Sequence, residues 1–317
     1  MDINNAAARL RIREHWQVRF LQAFTQGAVP AAEQICQMEQ SSAAIEVYDL
    51  LIAVPMFQKV KDQIKKQNLA RAQHRVTNEE YAATIVVRQA DLERDSYGQY
   101  NNKFDVLGQA ARRNPDRLLA YLMANAFTET DYTGTAFYAA DKPHLPGVLD
   151  AGTFTNKMTA KPSANSWDAA KQLMGNIKDA NGQPMGLGGK KTVVCSTKWV
   201  STFRRILNAE LIAQDIVGSG VAAVSNIYKG DADIIEFPWL NTTADQDKWF
   251  VLDTSWNLRS FILQSEVAPR FYSQDNPNVH KDAFDEHVFL YQGYYRGNVG
   301  LGLPQLSIAS DGSTDAL

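Results

Sequence analysis

The residues able to do chemistry are few and scattered. Five histidines occur: His15, His74, His144, His280 and His287. His280 and His287, with Asp282, Asp285 and Glu286 between them, form the best metal-ligand grouping, but the spacing matches no standard zinc pattern. Asp141-Lys142-Pro143-His144 puts an acid near an imidazole in a Pro/Gly-rich loop. General acid–base work there would need a nucleophile or a second carboxylate close by, and the sequence supplies neither. A hydrolase-like enzyme built on Asp141, His144 or the 280–287 segment is the alternative from a different class, and it requires those residues to converge in one pocket. The two cysteines, Cys36 and Cys195, suit neither a metal knuckle nor a disulfide framework and read as thiols of a reducing cytosol. Cys195 ends an apolar run and reads as a core thiol, since nothing nearby argues for a thiolate. Gly186-Leu187-Gly188-Gly189 lacks the strand that must precede a dinucleotide loop and reads as a turn. Neither a nucleophile elbow nor a phosphate-binding glycine loop occurs. The expectation is no catalytic residue, no cofactor and no metal.

The strongest polar grouping is instead a basic stretch. Lys59, Lys61, Lys65, Lys66, Arg71 and Arg75 face only Asp62 before Glu79. Apolar residues are sparse from 58 to 80, so the stretch cannot bury much of itself. A strand rich in Thr and β-branched residues follows at Tyr81–Val87. Together they predict a ribbon of two antiparallel strands with a polar turn. Two arms of about 14 residues would reach about 45 Å, and an isolated two-stranded ribbon needs a neighbour to lie on. Arg9, Arg11 and Arg13 near the N-terminus read as a solvated helix face or an arm toward another subunit.

The elements that must position these charges are legible from periodicity. Residues 5 to 25 read as a helix with Leu10, Phe20, Leu21 and Phe24 mostly on one side, ended by Gly27 and Pro30. Residues 31 to 38 are weakly helical, and 48 to 57 irregular or strand-like. Phe104, Leu107, Ala111, Leu118, Leu122 and Ala126 recur at helical intervals. Asn114-Pro115 interrupts them, and two collinear helical segments acting as one rod are expected, with Pro115 opening the second. From 104 to 127 that rod measures about 36 Å. A loop runs from 128 to 165. Helices are then predicted at 167–177 and 199–212, and strands at 192–195, 233–237, 249–252, 261–263 and 288–294. The polar tail Ser310–Leu317 shows no core-forming pattern and reads as held from outside the subunit. The class is α+β.

Composition bounds the rest. The chain has 317 residues, 45% of them hydrophobic, and a net charge of −3. That length suits one large domain or two moderate ones. The charge gives no global reason to bind nucleic acid or an anionic membrane. The N-terminus lacks a secretion signal and no stretch reaches the length of a membrane span.

Three stretches resemble a known family: YAATIVVRQADLERDSYGQY (81 to 100) running into the 104–127 helix, GTAFYAADKPHLPG (134 to 147), and DKWFVLDTSWNLRSFILQ (247 to 264). Their order is similar to the major head subunit, or major capsid protein, of Mu-like tailed bacteriophages. DANGQPMGLGGKKTVVCSTKWVSTFRRILNAELI (179 to 212) resembles the helix, Gly-Pro turn, strand and helix of tailed-phage capsid proteins. The resemblance covers roughly 45 to 310. It implies a Hong Kong 97-type capsid fold with an N-terminal arm and lead-in (1–57), an extended loop or β-ribbon (58–98), a spine helix and peripheral domain (99–164), an axial domain (165–283) and a return to the peripheral domain with a C-terminal tail (284–317).

The same resemblance implies a structural protein that self-assembles as hexamers and pentamers into an icosahedral capsid around double-stranded DNA, contacted non-specifically. Portal, scaffold and decoration proteins would be further partners, with no membrane involved. The site would be the virion capsid, assembled in the host bacterial cytoplasm. Lys59, Lys61, Lys65, Lys66, Arg71, Arg75, Arg9, Arg11 and Arg13 are the expected intersubunit contacts. Only about 45 residues precede the apolar run, so a separate scaffold or none is expected, without N-terminal cleavage or covalent cross-linking. A nanocompartment shell of the same fold is the runner-up.

Overall fold

A computed structural model describes residues 6–53, 70–94, 98–144, 152–180, 182–216 and 220–315. In chain order the elements are α1 (Ala6–Gln26), α2 (Ala31–Ile35), β1 (Gln37–Gln40), β2 (Ile45–Ala53), β3 (Ala70–Thr77), β4 (Glu79–Arg88), α3 (Gln89–Arg94) and α4 (Gln99–Asn125). Then come β5 (Lys142–Pro143), β6 (Thr153–Phe154), β7 (Lys157–Ala160), α5 (Ala164–Gly175), β8 (Lys191–Cys195) and α6 (Thr197–Asn208). The chain continues through β9 (Leu211–Ile216), β10 (Gly220–Ser225), β11 (Ala232–Glu236), β12 (Trp249–Leu252), β13 (Phe261–Gln274), α7 (Lys281–Asp285), β14 (Val288–Leu301) and β15 (Ser307–Thr314). Helices and strands are mixed as an α+β fold requires.

Two sheets organise the molecule. One runs β1-β13-β14-β4 and the other β11-β8-β12-β15-β7. In the second, strands β8 and β12 are buried on both faces, which is why they read as near-continuous apolar runs. Val193, Cys195, Trp249, Val251 and Ile308 point into a core shared with α5 and α6. The alternate residues Val194, Phe250, Leu252 and Ala309 point into a second core shared with the C-terminal half of α4. A third core joins α1, the N-terminal half of α4 and the first sheet through Trp16, Phe20, Phe104, Phe289 and Tyr291. There Trp16 stacks on Phe104 with ring centroids 4.4 Å apart and meets Tyr291 edge-on at 4.9 Å.

α4 is a single helix of 27 residues through Pro115, about 40 Å long at 1.5 Å per residue, rather than two segments. The expected apolar phase does not persist across the proline. Phe104, Leu107 and Gly108 are buried before it, and Leu119, Ala120 and Met123 after it. The helix leaves one core and enters another, so its inward face turns.

α2 docks beside the proline. Asp116 Oδ1 accepts the Ala32 N–H at 2.8 Å, and Arg112 donates both guanidinium arms to Glu33 at 2.6 and 3.1 Å. In α1 the anchors are Trp16 and Phe20, while Leu10 and Leu21 face outward. Apolar residues thus occupy two sides of that helix, not the one expected.

Three further expectations are corrected. α6 ends at Asn208, four residues early, because Asn226 Nδ2 donates to the Ile206 and Ala209 carbonyls at 2.7 and 2.9 Å and satisfies the last turn. The strand expected at 261–263 is 14 residues long. The polar tail needs no outside support: β15 lies between β12 and β7, with Ser307 fully buried and Ser310 at 1% exposure. Its serines, alanine and glycine are small enough to pack with a layer on each side, and they carry no alternation to read.

Candidate assembly interface

The paired arms of the ribbon are β2 and β3, antiparallel from Ile45 opposite Thr77 to Leu51 opposite Arg71. They begin well before residue 58, and β4 belongs to the first sheet by its full pairing with β14. Successive strand residues alternate sides, so the ribbon has two faces. Leu50, Ala72 and Val76 are buried against the subunit's own body. The root therefore does bury itself, contrary to the expectation from composition. On the other face Ile45 and Val47 are 52% and 47% exposed. They stand opposite Thr77 and the exposed Arg75, and Gln73 Nε2 donates to Asp49 Oδ1 at 3.0 Å.

Of the expected contact residues, Lys59, Lys61, Lys65 and Lys66 lie outside the described residues. Arg71 is placed only by its backbone register. Arg75 is presented outward beside Val47. The N-terminal arginines do not act alike. Arg13 reaches the buried carboxylate of Asp275 at 3.6 Å, so it also ties α1 to its own subunit. Arg19 makes a close ion pair with Asp105 of α4. Arg9 is half-buried and Arg11 exposed. The outer side of α1 carries Leu10, Val18 and Leu21, whose spacings of eight and three residues place them on one side of a helix. The exposed pair Ile45 and Val47 was the signal available in the sequence for the ribbon's outer face, and Leu10, Val18 and Leu21 the signal for the helix.

The residues considered for catalysis are divided between parts of the fold. Lys142 is fully buried, 2.9 Å from Asp131, and donates to the Ala136 carbonyl at 2.8 Å. Burial pulls its ammonium below the ordinary lysine range, with Asp131 acting against that pull. It pins the loop and leaves no free base. His144 is 2% exposed and packs on Phe154 at 4.9 Å. Burial lowers its pKa, opposed by the Asp179 charge. The cavity it lines with Asp141, Thr153 and Lys178 includes neither His280 nor His287, which flank α7 instead. Cys195 is buried, and burial pushes its thiol up to about 12. Among the described residues no group of three or more His, Cys, Asp or Glu could hold a metal, and no helix is long and apolar enough to cross a membrane.

A long helix under a sheet, a two-stranded ribbon and a separate two-faced sheet with helices together match the fold of phage capsid proteins. The fold is similar to the procapsid of bacteriophage JBD30 (TM-score 0.56, 19% identity, 96% of this chain and 75% of that one). It is also similar to a structure of Microbacterium phage Oxtober96 (TM-score 0.56, 12% identity, 92% of each chain). A virus-like particle from Pyrococcus furiosus shares it as well (TM-score 0.53, 9% identity, 94% of this chain and 99% of that one), so the fold alone does not separate a phage head from another shell.

The family does. The model of the Mu-like prophage major head subunit gpT matches residues 10–167 and 241–316, and the chain belongs to that family. It is a family of structural head subunits, not of enzymes. The major capsid protein of Escherichia phage Mu is 25% identical over 123 residues, 39% of this chain and 40% of that protein. The chain thus aligns with less than half the length of that relative. The Mu-like prophage FluMu major head subunit of Haemophilus influenzae is 25% identical over 305 residues, 94% of this chain and 73% of that one.

Proposed function

We propose that this chain is a major capsid protein whose copies close an icosahedral head around double-stranded DNA, through hexamers and pentamers. Its place in the gpT family carries the reading, and the projecting β2–β3 ribbon supports it physically. In this reading β2, β3 and the residues between them act as the extended loop, in place of the span 58 to 98, and α4 acts as the spine helix. The axial domain lies within 165–283 around β8, β11 and β12, while β13 and β14 belong to the first sheet before β15 completes the second. The outer ribbon face with Ile45, Val47 and Arg75 meets a second copy, joined by Lys59, Lys61, Lys65, Lys66 and Arg71. Arg9, Arg11 and Arg13 border a second contact along α1. Portal, scaffold and decoration proteins would be its partners in the host cytoplasm, and packaged DNA is contacted without sequence preference.

The test is microscopy of the expressed chain, alone and with its genomic neighbours. Closed polyhedral shells or hexameric rings are expected. A strictly monomeric particle at high concentration under all those conditions overturns the reading. Deletion of residues 60 to 75 would cut into β3, so the cleaner variant replaces residues 55 to 68 by an Asn-Gly turn, which suits a two-residue hairpin. It should melt like the parent yet form no shells. Assembly at parental yield would refute the role given to the ribbon tip.

A further inference from the structure

The chain enters the ribbon through the turn 41–44 before β2 and leaves it through the single residue Asn78 after β3. Both are tied into one polar knot. Asn78 donates its N–H to the Ala44 carbonyl at 2.9 Å. Its Nδ2 donates to Ser41 Oγ at 2.8 Å and to the Ala43 carbonyl at 2.7 Å. Its Oδ1 accepts from Gln264 Nε2 at 2.7 Å, and Gln264 Oε1 accepts the Tyr48 hydroxyl at 2.7 Å. Gln264 is completely buried in β13. On the near side, Ser41 N–H donates to the Ser265 carbonyl at 2.9 Å, and Glu46 Oε1 accepts from Ser41 Oγ at 3.0 Å and the Ser42 N–H at 2.9 Å.

A second, apolar feature lies beside the knot. A Cβ on Gly300 of β14 would come within 2.2 Å of Val76 Cγ2, so the glycine provides a flat seat for the ribbon root. Asn298 Nδ2 donates to the Thr77 carbonyl at 2.9 Å next to it.

A hydrogen-bond network centred on a buried amide is satisfied in one geometry, whereas apolar surfaces tolerate sliding. Gln264 reaches strands on both arms, Tyr48 in β2 and Asn78 at the end of β3. It therefore opposes rotation of the ribbon as a unit, not just separation of its strands. The strand that carries it departs from regular register between Ser265 and Val267. We infer that Asn78 and Gln264 are positioning residues which, with the Gly300 seat, fix the direction in which the ribbon leaves the body. That direction decides where Ile45, Val47 and Arg75 meet the next copy. The consequence for shells rests on the assembly reading above; the consequence for the ribbon does not.

Four single variants test it: Asn78→Ala, Gln264→Leu, Tyr48→Phe and Gly300→Ala. The first three break the knot at different members. The fourth removes no hydrogen bond and acts only by crowding Val76. Two readouts are taken for each. Hydrogen exchange of the unassembled subunit should show β2 and β3 amides exchanging about tenfold faster or more, with β8 and β12 unchanged, because the ribbon opens as a local unit. Microscopy of expressed particles should show open, tubular or mixed-size products where the parent gives uniform ones.

Equal acceleration in both sheets, or no acceleration in the ribbon, overturns the inference. So do shells of parental size from a variant whose ribbon exchange has risen. If Gln264→Leu fails to fold, Tyr48→Phe and Gly300→Ala carry the same comparison. If the parent itself forms no closed particle, the assembly reading fails and the exchange data still decide the hinge.

Discussion

Lys191 and Asp253 show how a single buried pair contributes to the acid limit of this molecule. They meet at 2.6 Å with side chains 5% and 1% exposed, at the start of β8 and just past β12. Burial raises the Asp253 pKa, but the Lys191 ammonium and bonds from Ser255 more than offset it and hold the carboxyl below the usual range. The folded-state value is depressed, so the pair's contribution is complete above the unfolded value of about 4. It is lost as pH falls through the folded value. Thermal melts from pH 7 to pH 3 should show this loss, and Asp253→Asn should flatten it. An unchanged acid limb in Asp253→Asn would refute the assignment. Lys191→Met strands a buried carboxylate and should cost about 3–5 kcal/mol at pH 7, read by denaturant unfolding.

At the scale of elements the decisive contact is α1 on α4. A Cβ on Gly108 would come within 2.4 Å of the Phe20 carbonyl, so the two helices touch backbone to backbone there. The opposing substitution follows directly. Gly108→Val should force α1 off its seat and expose Trp16, Phe20 and Phe104. The expected result is rapid proteolytic loss of residues 1–27 while the second sheet stays protected, followed by limited proteolysis and mass spectrometry. A variant as resistant as the parent would show that the close approach is dispensable. The arginines belong to the same account: Arg13 and Arg19 face their own subunit's Asp275 and Asp105, which leaves Arg11 as the exposed arginine of the three singled out on this helix.

For the whole molecule, the last strand is the one that closes the fold. β15 lies inside the second sheet, antiparallel to β12 and parallel to β7. Its Ile308 and Ala309 face different cores. A chain stopped after Leu306 would leave both open and unpair β7. It should be insoluble or lack a cooperative melt, read by circular dichroism. A soluble, cooperatively melting product of this truncation would overturn this view.

The sequence by itself located the longer helices and the apolar inner strands. A 3.6-residue spacing or an unbroken apolar run states burial directly, as at Trp167, Ala170 and Met174 or Thr192–Cys195. The sequence also carried the family through the stretches 81–100, 134–147 and 247–264. Tertiary structure alone decided four things: that the polar tail enters the second sheet through β15, that α4 runs unbroken while its buried face turns, that the ribbon root rests on its own body, and that Lys142 is a buried pin. Each depends on contacts between residues far apart in the chain. Small or charged side chains carry no periodic mark of what they will face, so only the assembled layers fixed whether Ser310 or Lys142 would be inside. The same holds for Asn78 and Gln264, 186 positions apart, whose meeting no local pattern announces.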